Sequence, residues 1–429
     1  MLGDEKEIHE YAGDKSITMM FFLPNDTFEE TCDFVKDNAE EWNSPDQTDF
    51  EFVIIYEGKI IGGCDADLSH SEDRSYATLG WILNKNYRKM GFAFEAADAL
   101  LDYAFENLNI EKVYAQCDVE NPASFNVMKK IGMTCINDKG TRTYPKTGKT
   151  SGEYTCMITK EEWMEKKLTA LPEEIKKHVA GKSYTLDDMG KSGSKIMVFD
   201  DCVLKITDYR KENEDAVNVM RWLEGRIPVP KVICYVKDND KQYLLMERVI
   251  GKVSCDEYYL EHPKELLNIL ASALKMLWDV DISDCPRIRD LDVELKEAQY
   301  RIDNDLVNMD DVEPTTFGEG GFKDPQALLK WLDENRPECE TVLSHGDFCL
   351  PNILVKDGKI SGFIDLGDTG IGDKWRDIAY CYRSLKHNFD GTFGGKVYPD
   401  FNPDMLFDVL GIEPDWDKLN YQILLDELF

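Results

Sequence analysis

The sequence has no apolar run of membrane-spanning length, and its first residues lack the basic start and apolar stretch of a signal peptide. It also lacks a basic excess, because 83 acidic residues against 50 lysines and arginines give a formal charge of −33. Nucleic acids and anionic membranes both require basic patches, so neither is expected as a partner. These absences predict a soluble, cytoplasmic protein. Its acidity would attract a cationic ligand, or would serve solubility alone.

Paired cysteines are missing as well. The twelve cysteines are scattered from Cys32 to Cys381, with no C-x-x-C pair and no Cys/His cluster at zinc-ligand spacing. We therefore predict reduced, mostly buried thiols rather than disulfides or a zinc site. Cys349 differs from the others because it lies inside the polar segment 345–352.

The chain contains enough apolar residues for more than one core. At 429 residues it exceeds an ordinary single domain, and 42% hydrophobic with 11% aromatic residues argues against disorder. Two segments show mixed helix and strand patterning, and the charged, helix-prone stretch 161–170 separates them. We therefore expect domains at 1–160 and 171–429, with 161–170 as the connector.

Both segments have the pattern of mixed α/β and α+β folds. In the first, Asp26 can cap a helix, and a hairpin is expected around Glu57-Gly58-Lys59. Its other predicted elements are strands at 78–83 and 113–117 and helices at 94–108 and 122–131. The second segment begins with strands near 196–199, 203–207 and 243–247 and then becomes largely helical.

A motif in the second segment has the composition of a phosphoryl-transfer site. In HGDFCLPN (345–352), Asp347 and Asn352 are five residues apart. This is the spacing of a kinase catalytic loop, in which the Asp accepts a proton and the Asn binds Mg²⁺. A predicted hairpin follows and ends at Asp365-Leu366-Gly367, where the main metal ligand of such folds lies. The order and spacing of these parts together predict a phosphotransferase.

A nucleotide site also needs a lysine for the phosphates. Lys205 lies on the predicted strand 203–207 between apolar residues, and the loop GKSGS (190–194) precedes it. Backbone N–H groups of this loop and the Ser192 hydroxyl could cover the phosphates, or the loop could be a plain hairpin turn.

The second segment resembles the aminoglycoside 3'-phosphotransferases. The stretches that carry the resemblance are RWLEGRIPVPKV (221–232), YLLMERV (243–249), DISDCP (281–286), FKDP (322–325), LSHGD (343–347), DGKISGFIDLGDTGIGDKWRDIAY (357–380) and ILLDELF (423–429). The resemblance implies a two-lobed, protein-kinase-like fold. The N-lobe would span about 171–249 and the C-lobe about 250–429, with ATP or GTP between them.

This resemblance also implies roles for single residues. Asp347 would be the catalytic base, Asn352 and Asp365 the Mg²⁺ ligands, and Lys205 the partner of the α- and β-phosphates. The hinge that holds the adenine would include Met246, Glu247 and Val249.

The family binds its polycationic substrate with carboxylates from a C-lobe loop and from the chain terminus. The matching positions are Asp310, Asp311, Glu313, Asp426, Glu427 and the Phe429 carboxylate. Clustered carboxylates suit several ammonium groups, because charge-assisted hydrogen bonds are stronger than neutral ones. For the loop alone, a solvated acidic surface is the alternative.

Three positions depart from the family pattern. The helical glutamate expected to pair with Lys205 falls on Ala216, which leaves Glu212 or Glu214 as substitutes. Val203 occupies a strand position that is aromatic in some relatives. The catalytic loop reads Phe348-Cys349-Leu350-Pro351 where relatives are smaller and more polar, which could narrow the acceptor pocket or change the phosphorylated hydroxyl.

The first segment resembles the GNAT acetyltransferases. RKMGFA (88–93) fits R-x-x-G-x-A between a strand and a helix, where backbone N–H groups and the helix dipole can hold a pyrophosphate. LGWILN (79–84), NPAS (121–124) and VMKKIGM (127–133) complete the resemblance. It implies acetyl-CoA bound by Arg88, Lys89, Gly91 and Ala93, with Asn121 and Ser124 near the pantetheine arm.

The acetyltransferase base is not evident from the sequence. The strand position that often carries Glu in related enzymes is Thr78 here. Asp65 and Asp67 are candidates by residue type, with surface carboxylates as the alternative reading.

Together these patterns predict a bifunctional antibiotic-modifying enzyme with ATP (or GTP), Mg²⁺ and acetyl-CoA as cofactors. One alternative is a metabolic kinase for an amino sugar or a choline-like alcohol. Another makes the GNAT segment a non-catalytic scaffold, or an enzyme for a different amine.

Overall fold

The computed structural model describes residues 2–17, 19–20, 24–187, 194–309, 312–318 and 320–429. The chain folds as two compact units, Met1–Leu171 and Pro172–Phe429. In the part of the chain described, no helix is both long and apolar enough to span a bilayer.

The first unit is built on a six-stranded sheet with strand order β1-β2-β3-β4-β6-β5. Its strands are β1 Asp49–Tyr56, β2 Lys59–Asp67, β3 Tyr76–Leu83, β4 Lys112–Asp118, β5 Thr134–Thr143 and β6 Thr150–Thr159. Its helices are α1 Glu5–Ala12, α2 Phe28–Glu41, α3 Phe92–Asn107, α4 Pro122–Lys130 and α5 Lys160–Thr169. The predicted hairpin, strands and helices of this segment are present, with ends within two residues of those expected.

Helix α2 begins later than the sequence indicated. Its N-cap is Thr27 rather than Asp26, because the Thr27 hydroxyl accepts from the backbone of Glu30 while the Glu30 carboxylate accepts from the Thr27 backbone. This reciprocal capping box of Thr27 and Glu30 satisfies two backbone donors, and it forms in preference to the pair Asp26 and Glu29 that the sequence also offers.

The strands β3 and β4 form the one parallel pair of this sheet, as far as the structure describes it. Their pairing runs from Tyr76 and Lys112 to Leu79 and Ala115 and then ends, although both strands continue. The carboxyl-terminal halves of the two strands therefore face each other without a shared hydrogen-bond ladder.

Helix α5, which covers most of the predicted connector 161–170, packs against helix α3 of the first unit. Trp163 is buried, and its indole N–H donates to Asp102 of α3 at 2.8 Å. Lys166 and Lys167 pair with Asp98 and Asp102 of the same helix. Helix α5 is thus held against α3 by the buried Trp163 side chain and by the ion pairs of Lys166 and Lys167.

The second unit begins with a five-stranded antiparallel sheet of order β10-β11-β9-β8-β7. Its strands are β7 Thr185–Asp187, β8 Lys195–Val198, β9 Cys202–Asp208, β10 Val232–Asp238 and β11 Lys241–Glu247. Two helices accompany it, α6 Glu173–Val179 and α7 Lys211–Leu223.

The rest of the second unit is mainly helical and carries short strand pairs. Its helices are α8 Glu257–Glu261, α9 Pro263–Trp278, α10 Leu291–Asp303, α11 Pro325–Glu334, α12 Lys374–Asp390, α13 Met405–Leu410 and α14 Trp416–Asp426. Its strands are β12 Lys252–Val253, β13 Thr341–Ser344, β14 Ile353–Lys356, β15 Lys359–Phe363 and β16 Gly370–Asp373. The buried face of α9 is the centre of its largest apolar core, which also takes in β14, β15 and α12.

Candidate functional sites

The loop between β13 and β14 brings Asp347 and Asn352 together. The Asn352 side-chain N–H donates to Asp347 Oδ2 at 2.8 Å and to the Asp347 carbonyl at 3.0 Å. Because Leu350 to Asn352 form a single 3-10 turn, the chain folds back on itself and places the amide beside the carboxylate. The five-residue spacing in the sequence therefore places the two side chains in direct contact within one loop.

A buried histidine holds the loop between β13 and β14 in position through both of its ring nitrogens. His345 is fully buried; its Nε2 lies 3.0 Å from the Ile364 carbonyl and its Nδ1 lies 3.3 Å from the Asp347 backbone N–H. Since the backbone N–H can only donate, Nδ1 is the acceptor and Nε2 carries the proton. The neutral ring thus links the Asp347 backbone to the residue before Asp365.

Asp377, in the first turn of α12, is the anchor of the loop. Its Oδ1 accepts from the Ser344 hydroxyl at 2.9 Å and from Gly346 N–H at 3.0 Å, while its Oδ2 accepts from His345 N–H at 2.9 Å. Burial raises the pKa of Asp377, and these donors act in the opposite direction. Asp377 is not among the site residues predicted from the sequence. Its signal was an Arg-Asp pair within an otherwise apolar helix face, Trp375 to Ala379.

Gly346 is required by the close approach of two chain segments. Its φ of +85° is in the left-handed region, and a Cβ at this position would overlap the Asp368 carbonyl. The Thr369 hydroxyl donates to the His345 carbonyl at 2.8 Å across the same contact. The catalytic loop and the segment after Asp365 are therefore held together directly.

Lys205 and Asp365 form an ion pair. Lys205 Nζ on β9 is 2.9 Å from Asp365 Oδ1, and Asp365 has a left-handed backbone (φ 55°) that turns it out of the strand line after β15. Among the described residues this is the ion pair that Lys205 makes. Glu214 is not the substitute partner considered from the sequence, because it pairs with Lys237 at 2.6 Å, and Ala216 is buried.

The predicted hinge follows β11. Met246 pairs with Val203 in the sheet, and the N–H groups of Glu247 and Arg248 donate to the carbonyls of Lys231 and Asp201. Those two N–H groups are therefore committed to the protein. Within the described residues the Val249 N–H has no such acceptor, so it is the hinge donor that could face a base.

The acidic residues expected at the substrate site lie together where the structure describes them. The Glu427 side chain accepts from Glu313 N–H at 2.8 Å, and Glu313 is 3.2 Å from His387. Asp426 pairs with Arg383 on α12, and Glu427 is 4.0 Å from the same guanidinium. Burial raises the pKa of Glu427. The Arg383 guanidinium thus already contacts Asp426 and Glu427, whereas burial lowers the pKa of His387 and favours its neutral ring beside Glu313.

This acidic group is next to the catalytic loop. Burial raises the pKa of the Cys349 thiol, and the thiol also hydrogen-bonds the Asp347 carboxylate. Arg383 and Asp426 act on the same thiol. The catalytic loop and the acidic residues are therefore close enough for their charges to interact. Phe429 packs in a separate apolar cluster, and Arg301 donates to its carbonyl oxygen.

Three predicted site residues lie outside the described residues. They are Ser192, expected at the phosphates, and Asp310 and Asp311, expected at the substrate.

In the first unit, residues 88–93 connect β3 to α3. Lys89 and Gly91 both have positive φ, and Gly91 is the N-cap of α3, so Phe92 and Ala93 start the helix. The first N–H groups of a helix have no intrahelical acceptor and favour anions. The Arg88 guanidinium donates to the Leu83 carbonyl at 3.3 Å. Asn121 caps α4 by accepting from Ser124 N–H at 3.2 Å.

Two family models match the chain. Residues 198–402 match the phosphotransferase enzyme family, and residues 2–134 match the acetyltransferase (GNAT) domain. Each match lies within one of the two units. The predictions of a GNAT fold followed by a kinase-like phosphotransferase fold are confirmed.

The second unit is similar in sequence to several curated proteins over nearly their whole length. An aminoglycoside 3'-phosphotransferase of Enterococcus faecalis is 40% identical over 267 residues, which are 60% of this chain and 97% of the relative. One from Staphylococcus aureus is 39% identical over 266 residues, with the same shares. The solved aminoglycoside phosphotransferase of Streptomyces rimosus covers 61% of this chain and 98% of its own, with a TM-score of 0.53 and 21% identity, and has the same fold.

Proposed function

Because the chain belongs to the aminoglycoside 3'-phosphotransferase family, we propose that its second unit phosphorylates a 3'-type aminoglycoside hydroxyl from ATP and that its first unit N-acetylates an aminoglycoside from acetyl-CoA. One observation carries the first activity: Asn352 contacts Asp347 within the catalytic loop, and Lys205 contacts Asp365, which is 160 residues away in sequence. The second rests on the GNAT match and on the loop geometry at Gly91.

In phosphoryl transfer, the acceptor hydroxyl oxygen attacks the γ-phosphorus of ATP while its proton passes to the Asp347 carboxylate. The bond between the γ-phosphorus and the β–γ bridging oxygen breaks, and ADP leaves with that oxygen. Asn352 holds one oxygen of that carboxylate, and His345 holds its backbone, so the base is oriented before substrate arrives. Such pre-orientation lowers the barrier because little reorganisation is needed at the moment of reaction.

The donor set at Asn352 and Asp365 fits Mg²⁺. The Asn352 N–H group faces Asp347, which leaves its side-chain oxygen for a ligand, and the Asp365 carboxylate already holds one cation, the Lys205 ammonium. Carboxylate and amide oxygens are ligands that Mg²⁺ accepts. When bound, the ion would neutralise charge on the phosphates. Lys205 would then contact the α- and β-phosphates, and Val249 N–H would meet the base.

The substrate site would use Glu313, Asp426 and Glu427 for ammonium groups. The Arg383 guanidinium already pairs with Asp426 and lies 4.0 Å from Glu427, which supports the ability of these two carboxylates to accept a cationic group. We include Asp310, Asp311 and the Phe429 carboxylate from the resemblance. ATP and acetyl-CoA are cytoplasmic metabolites, so we propose that both reactions take place in the cytoplasm.

The test is mass spectrometry of kanamycin and neomycin after incubation with the full chain and ATP–Mg²⁺, acetyl-CoA, or both. The expected products gain one phosphoryl group, one acetyl group, or both. Absence of a phosphorylated product, with nucleotide turnover on a choline-like alcohol or amino sugar instead, would overturn the antibiotic assignment. Absence of an acetylated product would overturn the acetyltransferase assignment alone.

A further inference from the structure

Three carboxyl groups of the first unit lie together on one face of the β1–β2 hairpin. One carboxylate oxygen from each of Asp49, Glu51 and Asp65 lies within 4.8 Å of the other two. In the strand register Glu51 is directly opposite Asp65, and Asp49 is opposite Asp67. Like charges directly opposite each other destabilise a strand pair, so packing alone does not account for this group.

The charges that act on this group are themselves negative. The neighbours that shift Glu51 and Asp65 are Asp49, Asp65 and Asp67, all of them carboxylates. The Oδ1 atom of Asp49 is buried and, among the residues described, receives no hydrogen bond. Leaving a buried polar atom without a partner costs free energy that a bound donor would recover. Among the described residues, none of the three carboxylates forms an ion pair, so the group is suited to accept a cationic ligand.

Asp65 lies where β3 and β4 separate. It is opposite Gly80 in the β2–β3 register, and a Cβ at Gly80 would overlap its Oδ1, so the carboxylate lies directly over that glycine. Gly80 follows Leu79, the last β3 residue that pairs with β4. Beyond this point the facing backbone groups of the two strands are available to a ligand.

The predicted coenzyme contacts lie at the same end of these strands. Because β3 and β4 are parallel, their carboxyl ends meet at one edge of the sheet. Residues 88–93 follow β3 closely, and Asn121 follows β4. A pyrophosphate at the start of α3 therefore leaves the gap between the strands for the thioester arm, which brings the acetyl group toward Gly80 and Asp65.

From this juxtaposition we propose that Asp65, together with Asp49 and Glu51, binds the ammonium group of the acceptor and removes its proton for N-acetylation. The proposal rests on the acetyltransferase function proposed for this unit. The base then lies on β2, one strand away from Thr78. Thr78 is the β3 position that often carries Glu in related enzymes.

Asp65 takes one proton from the ammonium and frees the nitrogen lone pair. The nitrogen attacks the carbonyl carbon of the acetyl thioester, so that a C–N bond forms and the C–S bond breaks. The second amine proton leaves with the sulfur as the free thiol, and Asp65 then releases its proton to water.

Titration of the group is consistent with this role. Burial, and then Asp49 and Asp67, raise the pKa of Asp65 to about 7, and burial with Asp67 raises that of Asp49 to about 6. Burial also raises the pKa of Glu51. Glu41 of α2 and Asp67 of β2 also raise the pKa of Asp49. The carboxylates in turn raise the pKa of two neighbouring groups, Tyr11 of α1 and Cys64 of β2. A base with a pKa near the working pH is the most effective kind.

The test compares Asp65→Asn, Asp65→Glu and Asp138→Asn in the full chain, with acetyl-CoA and kanamycin or neomycin. Asp138 is exposed on β5 and provides the matched control. Asp65→Asn should lower kcat by about 10²–10⁴-fold with little change in the KM for acetyl-CoA, and Asp65→Glu should restore part of it. The limb of the pH profile near pH 7 should disappear in Asp65→Asn. In Asp49→Asn it should move to lower pH, because one repelling charge is gone.

Each result has a separate meaning. If the wild type acetylates and Asp65→Asn matches Asp138→Asn, the base assignment is wrong while the acetyltransferase function stands. If the wild type acetylates neither compound, the acetyltransferase proposal falls and this inference falls with it. If Mn²⁺ binds the wild type by calorimetry, with binding lost in Asp65→Asn and acetylation retained, the group is a metal site instead.

Discussion

Two aspartates of the second unit show how surroundings divide roles at the scale of single residues. Asp347 has one oxygen held by Asn352 and contacts the Cys349 thiol, so its carboxylate can face an acceptor. Asp377 is fully buried, with three donors on its two oxygens. Asp347 is therefore suited to accept a proton from the substrate, whereas Asp377 is suited to hold the catalytic loop in place.

Asp347→Ala should lower kcat for aminoglycoside phosphorylation by about 10²–10⁴-fold, because the proton acceptor is lost. Nucleotide binding should change little, since Lys205 and Asp365 remain. Steady-state kinetics and calorimetry with ADP–Mg²⁺ measure the two effects. Asp400→Ala, at an exposed turn, is the control. Wild-type turnover in Asp347→Ala would refute the base assignment.

At the scale of elements, helix α12 fixes the catalytic loop through its first turn. Asp377→Asn places an N–H group where an oxygen now accepts, so one buried donor loses its partner. We expect a loss of about 1–3 kcal/mol in the free energy of unfolding and a fall of about 10²-fold in kcat, because the loop shifts. Denaturant unfolding and kinetics measure these effects. Asp390→Asn, at the exposed far end of α12, should leave both near wild type.

The β1–β2 hairpin should make stability depend on pH. The pKa of Asp65 is about 7 in the folded protein and about 3.9 in an unfolded chain, so between these values the folded state binds more protons. The free energy of unfolding therefore falls as pH rises through this range. Asp65→Asn removes that loss and should gain about 1–2 kcal/mol over wild type at pH 8. At pH 3, below both pKa values, the gain should be absent. Thermal unfolding at both pH values tests this, and an equal gain in Asp138→Asn would contradict it.

The elements of the first unit were largely predictable because each has a strong local signal. The β1–β2 turn at Glu57-Gly58 and the strand patterns are local features, and the capping error at Asp26 shifted one boundary only. Contacts between distant segments were less accessible. The partner of Lys205 is 160 residues away, and Asp377 acts through three backbone and side-chain groups. Sequence spacing identifies groups within one loop, whereas such pairings depend on the tertiary fold.

At the scale of the whole molecule, the two units carry separate sets of site residues. The converging phosphotransfer residues all lie in Pro172–Phe429, and the loop 88–93 lies in Met1–Leu171. Each set is completed within its own unit as far as the structure describes it. The two activities should therefore respond independently to substitution.

Gly91→Glu should abolish acetyl-CoA binding and leave phosphorylation unchanged. Gly91 has a φ of +101° with open space around it, so the glutamate adds backbone strain and a negative charge at the helix start. Gly148→Glu is the matched control, because Gly148 also has positive φ and open space but lies in the β5–β6 turn. Calorimetry with acetyl-CoA and a kinase assay provide the two readouts. Loss of phosphorylation in Gly91→Glu alone would show that the units are coupled.

The ion pair between Lys205 and Asp365 joins the five-stranded sheet to the hairpin segment of the helical part at 2.9 Å. Because both residues are also the proposed ligands of the incoming nucleotide and its metal, loading must exchange this internal tie for external ones. Without nucleotide, the Lys205 and Asp365 charges therefore neutralise each other, and the same charges are the proposed ligands of the phosphates and the metal. This competition lowers the net free energy that nucleotide and metal gain on binding.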